Sequence, residues 1–209
     1  MLSHANQIDW AQRYRPQCLE DVVLPESMKR RLIAMRDREE GPSLLLHGRA
    51  GTGKTTVASL ITPNHTHQIN CALQSGLKDI RELESYSGLT VFGDRRVLLL
   101  DEADSLKPEA QRALRGLMED RSSLAMFVLT TNSPNNLIDP LRSRLYEIDF
   151  NILAGNQAMK VSMLSRVNEI LANEGVNDLD PNIVRAIVDQ RFPDMRRILK
   201  DLQYQLLVD

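Results

Sequence analysis

Long apolar runs are missing from this 209-residue chain. Runs such as Leu44-Leu45-Leu46, Val97-Leu98-Leu99-Leu100 and the six residues 124–129 are strand-sized, well short of the ~18 residues of a membrane span, so no segment reads as crossing a bilayer. Residues 1–7 have neither a basic nor an apolar signal region, so no secretory signal is legible and a cytoplasmic location is the expectation. Cysteine is scarce: Cys18 and Cys71 lack metal-ligand spacing and cannot form a disulfide framework, which fits a reducing compartment. Charge of one sign is also lacking. With 26 Lys+Arg against 28 Asp+Glu the net charge is −2, so no whole-molecule field attracts nucleic acid, and any such binding must come from a local patch. Aromatics make up only 4%, and there is no internal repeat or low-complexity tract. What remains, 42% hydrophobic and 26% charged residues, is an ordinary globular composition. At ~150 residues per domain, the length suits one large domain or a medium domain plus a small one.

The first 150 residues alternate between short apolar strands and helix-length segments. Pro25-Glu26-Ser27 opens a helix that Gly41-Pro42 ends, and strands are expected at 43–47, 65–70, 97–100, 124–130 and 146–150. Helices are expected at 54–61, 77–86 and 107–118, the last with Ala110, Leu114, Leu117 and Met118 at helical spacing. Strands separated by helices imply parallel βαβ units, hence an α/β fold with a helix-flanked parallel sheet. After Phe150 the pattern turns all-helical, at 159–171, 182–188 and 195–207, with Gly175 and Pro193 as punctuation. The cut falls near 151–155, giving 1–152 as a nucleotide-binding α/β domain and 153–209 as a small helical one.

The chemistry begins at Gly48-Arg49-Ala50-Gly51-Thr52-Gly53-Lys54-Thr55, which matches G-x-x-x-x-G-K-[ST] between an expected strand and an expected helix. The glycines let backbone N–H groups approach a phosphate chain, and the helix N-terminus adds its dipole. Lys54 would neutralise the β- and γ-phosphates, Thr55 would ligate Mg²⁺, and Thr56 continues the cradle. Downstream, Asp101 and Glu102 end an apolar strand, where open α/β sheets bind ligands. Asp101 would hold the Mg²⁺ shell and Glu102 would activate water. An acidic pair after a strand also serves as a helix N-cap, but beside the phosphate loop it supports a nucleoside triphosphatase. His65 and His67 are spaced as strand neighbours on one face, and metal binding is not expected of them.

Asp9-Trp10-Ala11-Gln12-Arg13-Tyr14-Arg15-Pro16, followed by Leu19-Glu20-Asp21-Val22-Val23, resembles the N-terminal box of clamp loader ATPase subunits of the replication factor C type, within the AAA+ superfamily. Asp101-Glu102-Ala103-Asp104, Ala110 to Glu119, Thr131-Asn132, Leu141-Arg142-Ser143-Arg144 and Pro193-Asp194-Met195-Arg196-Arg197 look like further boxes in the same order. The flavour is that of the small subunits of eukaryotic, archaeal or tailed-phage clamp loaders, over about residues 9–202.

The resemblance implies Mg-ATP bound between adjacent subunits of a hetero- or homo-oligomeric ring, with a sliding clamp and primer-template DNA as partners. By it, Asn132 is sensor 1, Arg144 the arginine finger that reaches a neighbour's γ-phosphate, and Arg196 the lid arginine of sensor 2. Arg15, Val22 and Val23 border the adenine, with Tyr14 and Pro16 equally suited to anchoring. Asn70 would hold Glu102 inactive until DNA arrives. Gln111, Arg115, Lys78 and Arg81 fall on the DNA-tracking surface, where sequence-independent phosphate contacts are expected. Other readings stand beside these: a turn for Asn132, a surface ion pair for Arg144, and a solvated helix charge for Lys78.

Three departures go with the resemblance. Leu145 replaces the family's Cys after Ser143-Arg144, residues 70–75 differ from the usual Asn-Ala-Ser-Asp, and the sequence stops where a helical collar domain would begin. Another AAA+ remodeller, such as a helicase loader, or a nucleotide-holding assembly subunit with little turnover would share the core motifs. Lys54→Ala is expected to lose ATP binding or turnover, and Glu102→Gln to bind ATP without hydrolysing it. Unchanged hydrolysis in Glu102→Gln, measured as phosphate release, would remove Glu102 from the chemistry.

Overall fold

The computed structural model describes residues 9–36, 41–62, 66–87, 96–151 and 155–208. Five strands, β1 (Leu44–His47), β2 (Thr66–Asn70), β3 (Arg96–Asp101), β4 (Ala125–Thr131) and β5 (Tyr146–Asp149), form one sheet in the order β2-β3-β4-β1-β5. All four pairings are parallel. A parallel sheet is covered on both faces, so its strands are apolar along their length rather than alternating. Leu44–Leu46, Val97–Leu100 and all of β4 are buried accordingly.

The period of two along each strand splits this apolar set between two layers. Leu45, Leu98, Leu100, Phe127 and Leu129 face α4 (Leu77–Ser87) and α5 (Pro108–Asp120), which meet them with Ile80, Leu83, Ala110 and Leu114. Leu44, Leu46, Val97, Leu99 and Val128 face the opposite layer, where α2 (Glu26–Arg36) and α3 (Lys54–Leu60) contribute Leu32, Val57 and Ala58. The expected strands and helices all occur, most ends within a residue or two; the helix expected at 182–188 runs on to Arg191, and the expected end of the first long helix before Gly41 falls on residues 37–40, outside the described set. Two short helices were not anticipated, α1 (Trp10–Arg13) and α6 (Asp139–Arg142). Each spans four residues, too few for an apolar period to show. Of the two strand histidines, His67 stacks on Tyr86 with ring centroids 4.3 Å apart, and His65 lies outside the described residues.

The helical unit comprises α7 (Gln157–Asn173), α8 (Pro181–Arg191) and α9 (Met195–Val208) around Val167, Ile170, Val184, Val188, Ile198 and Leu202. Asn156 and Asp180 cap the first two helices through their side-chain oxygens. The start of the chain also packs here. Trp10 is only 5% exposed within this cluster, and its backbone N–H donates to Gln203 Oε1 at 2.9 Å. Arg13 and the Tyr14 hydroxyl both donate to Glu174 Oε1, at 2.7 and 2.6 Å. These bonds hold the Glu174 carboxyl below its ordinary range against the opposing effect of burial. The sequence division put Trp10 to Tyr14 in the α/β unit, whereas their packing ties them to the helical one. The expected boundary at 151–155 includes residues 152–154, which lie outside the described set.

Among the described residues no helix is long and apolar enough to cross a membrane. Trp10→Ala is expected to destabilise the protein by about 3–5 kcal/mol, the usual cost of emptying a buried tryptophan site, measured by urea unfolding. A change below ~1 kcal/mol would show that α1 is only loosely attached.

Candidate nucleotide site

Three strand ends converge. β1 runs into the Gly48–Thr55 loop, β3 ends at Asp101, and β4 is followed by Asn132. Register sets these ends level: His47 pairs with Thr131, and Asn70 with Asp101. Ligands of open α/β sheets bind at such a C-terminal edge. A cleft of about 730 Å³ opens there, between the sheet edge and the helical unit, within the usual size of a small-ligand site.

The phosphate loop needs its glycines for backbone shape and for space. Gly51 has φ +78°, and a Cβ there would collide with the Asp194 carboxylate at the head of α9. Gly53 has φ +90° and opens α3, a left-handed backbone that glycine adopts without strain. Lys54 folds back into the loop. Its Nζ donates to Gly48 O and Arg49 O, both at 2.7 Å, and to Asn132 Oδ1 at 2.9 Å. Burial pulls its ammonium down to about 8, against the raising influence of Asp101 and Asp104.

The carboxylates sit opposite. Thr55 Oγ1 donates to Asp101 Oδ1 at 2.9 Å, and Thr130 Oγ1 donates to the same oxygen. A carboxylate, a hydroxyl and room for substrate oxygens form the hard-oxygen donor set that Mg²⁺ favours, so Thr55 and Asp101 fit the ion that the loop implies. Glu102 is the only described non-glycine residue at positive φ (57°). That left-handed backbone costs about 1 kcal/mol or more and marks a position over-determined by its surroundings. Its N–H donates to Thr130 Oγ1 at 3.1 Å, while its side chain is exposed toward the cleft.

Most sequence-expected residues meet at this cleft: Arg15, Val22, Val23, Ala50 to Thr56, Asp101, Glu102, Asn132 and Arg196. Gly48 and Arg49 form the loop's base, through Gly48 N to Thr131 O and Arg49 N to Asn151 Oδ1. Arg197 pairs with Asp194 at 3.5 Å, whereas its neighbour Arg196 lines the cleft.

The expected DNA contact of Gln111 requires correction. Gln111 is 2% exposed; its Nε2 donates to Leu106 O and Asn136 O, and its Oε1 accepts from Ile138 N–H. With both ends of the amide occupied, it is an internal joint and has no group left for a DNA phosphate. Asn70 accepts from Ala72 N–H at 2.8 Å, and no hydrogen bond joins it to Glu102 among the described residues. Arg144 lies outside the cleft, its guanidinium paired with Glu119 and donating to Pro140 O. Glu119 also takes Arg115 at 3.6 Å. Lys78 is a solvated partner of Glu82 at 3.8 Å, and Arg81 is exposed on the same helix.

Sequence reasoning missed the lid wall of the cleft, Met163, Arg166, Ile170 and Leu199, because helical spacing shows that a face is apolar but not what covers it. It also missed Thr130, which reads as one more residue of an apolar strand.

Loop, carboxylate pair and polar strand end together define a P-loop nucleotide-binding protein with a helical lid. Residues 44–154 match the ATPase family associated with various cellular activities (AAA), and residues 155–205 match the AAA+ ATPase lid domain of the sliding-clamp-loader large subunit. The chain belongs to the AAA ATPase family and carries a lid of the clamp-loader kind. It is 34% identical over 204 residues to the replication factor C small subunit of Natronomonas pharaonis, covering 93% of this chain and 61% of that protein. With the same subunit of Aeropyrum pernix the identity is 33%, covering 97% and 64%. The chain thus spans less than two thirds of the length of these relatives. In fold it is similar to the Thermotoga maritima RuvB Holliday junction branch migration motor, at TM-score 0.68 and 22% identity, over 90% of this chain and 63% of that one.

The lowered Lys54 value gives nucleotide affinity a pH dependence. Phosphates favour the charged ammonium, so below pH 8 binding needs no proton, whereas above it binding must take one up. Affinity for a fluorescent ATP analogue is expected to fall by up to ~10-fold per pH unit above 8. The fall is expected to vanish in Lys54→Arg, whose charge does not titrate. A flat profile in the wild type would place the Lys54 ammonium outside the phosphate contact.

Proposed function

We propose that this chain is the ATP-binding and ATP-hydrolysing unit of a sliding-clamp loader, opening a clamp and seating it on primer-template DNA. The observation that carries this reading is the convergence of Lys54, Thr55, Asp101, Glu102, Asn132 and Arg196 on one cleft, in a chain whose Arg144 lies outside that cleft. ATP lies with its phosphates on the loop and its adenine between Val22-Val23 and the lid. Thr55 and Asp101 would hold Mg²⁺, which would supply charge to neutralise the phosphates. Lys54 leaves the loop carbonyls for the phosphates, which frees Asn132 to orient water. Glu102 accepts the proton of that water, and Arg196 reports the γ-phosphate to the lid.

Arg144 completes the site of a neighbouring copy or related subunit, so turnover belongs to an assembly in a hetero- or homo-oligomeric ring. The lid match and the replication factor C relatives support the clamp and DNA as partners, and a cytoplasmic place of action goes with that role. Arg115, Lys78 and Arg81 remain the DNA-facing candidates, tracking phosphates without base preference.

Steady-state ATP hydrolysis is expected to rise more steeply than linearly with protein concentration and to increase with primer-template DNA. A sliding clamp is expected to raise it further. Arg144→Ala is expected to reduce turnover by ~100-fold or more, with ATP binding intact. Linear, DNA-insensitive turnover that survives Arg144→Ala would overturn the shared site. DNA stimulation without any response to a clamp would instead favour another AAA+ remodeller, and ATP binding without turnover would favour a nucleotide-holding assembly subunit.

A further inference from the structure

We propose that Thr130 is a positioning residue for the hydrolytic site, binding the metal-side carboxylate and the main chain of the water-side carboxylate to one hydroxyl. The proposal rests on the ATPase reading above and adds a residue to it.

The placement follows from register. Leu100 of β3 pairs with Leu129 of β4, so Asp101 and Thr130, the next residues on each strand, stand side by side on one sheet face. That face is the α3 layer, which explains why Thr55, from the first turn of α3, reaches the same carboxylate. Val128, two residues earlier on the same strand and face, packs in the apolar layer; at Thr130 a hydroxyl is buried instead, with the residue 2% exposed. Both functions of that hydroxyl are used. Its proton goes to Asp101 Oδ1, and its lone pair accepts the Glu102 N–H at 3.1 Å.

Glu102 is the residue at φ 57° and ψ 46°, a conformation that L side chains rarely adopt unless surrounding groups hold it. The Thr130 hydroxyl accepts the main-chain N–H of that residue itself. A valine would match the shape of threonine and remove both hydrogen bonds. Asp101 would then rotate about its remaining bond from Thr55, and Glu102 would relax away from the left-handed backbone that aims its carboxylate into the cleft. β4 in this way supplies two elements of the site, Thr130 inside the sheet and Asn132 just beyond it.

The test compares Thr130→Val, Thr130→Ala and Thr130→Ser with wild type. DNA-stimulated ATP hydrolysis is measured alongside the Mg²⁺ dependence of fluorescent ADP and non-hydrolysable ATP analogue binding, which needs no turnover. Thr130→Val and Thr130→Ala are expected to lower kcat by about tenfold or more and to raise half-saturating Mg²⁺ severalfold, as outer-shell changes at metal sites do. Nucleotide affinity at saturating Mg²⁺ is expected to stay within about threefold of wild type, since the loop and Lys54 are untouched. Thr130→Ser keeps the hydroxyl and is expected to recover most of both quantities. Wild-type kcat and Mg²⁺ dependence in Thr130→Val would overturn the proposal, as would a serine variant as impaired as valine, because packing of the methyl would then be the cause. If valine does not fold, the alanine–serine pair decides in the same way. If the wild type itself does not hydrolyse ATP, the ATPase reading fails, while an unchanged Mg²⁺ dependence of analogue binding would still reject the role of Thr130.

Discussion

Backbone pairing among β1, β4 and β3 fixes where the phosphate loop, Asp101, Glu102 and Asn132 stand. A parallel ladder allows only registers that keep side chains on their proper faces, and a slip of one residue would move each side chain to the opposite layer. With His47 opposite Thr131 and Leu100 opposite Leu129, the phosphate loop, Asp101 and Asn132 emerge at the same height. The leucine-rich layers on both faces hold that register. The chemistry at the edge depends on apolar burial several residues away.

The same edge concentrates charge where water is partly excluded, and the structure balances it locally. Lys54 keeps its ammonium in a poorly hydrated place by donating to two carbonyls and to Asn132. Asp101 accepts from two hydroxyls. Groups that would act on phosphate are thus held by groups that phosphate and metal can replace, so binding exchanges one set of hydrogen bonds for another rather than leaving bare charge buried. The contact between Gly51 and Asp194 joins this loop to the first turn of α9, so the lid arginine and the phosphate loop share a boundary.

The lid is not attached through the C-terminal segment alone. Trp10 fills its core, and Arg13 and Tyr14 converge on Glu174, while Val22 and Leu24 pack a few residues later against the α2–α3 layer. One short stretch of chain thus touches both units and borders the cleft between them. Any reorientation of the lid must move this stretch, and the wall of the cleft with it. Arg144 belongs to a different surface, held by Glu119 and away from its own nucleotide cleft, as the proposed role at a neighbouring site requires.

The alternation of strands and helices, the Gly48–Thr55 loop and the Asp101-Glu102 pair were all legible in the amino-acid sequence, because periodicity and a contiguous phosphate loop are local properties of the chain. Asn132 and Arg196 entered only through the resemblance of the boxes in their order, and both line the cleft. Gln111 shows the limit: a polar residue on an amphipathic helix reads as solvent-facing, yet it is buried and bonded to Leu106 O just before its helix and to Asn136 O and Ile138 N–H beyond β4. Thr130 shows the converse, a residue hidden in an apolar strand whose hydroxyl acquires meaning only when β3 lies beside β4. α1 spans four residues, and its tryptophan has no visible partner until α9 folds back some 190 residues later. Sequence by itself determined the elements and the loop that binds phosphate, since those depend on neighbours along the chain. Tertiary structure alone decided which polar groups meet, because hydrogen bonds join atoms by distance in space.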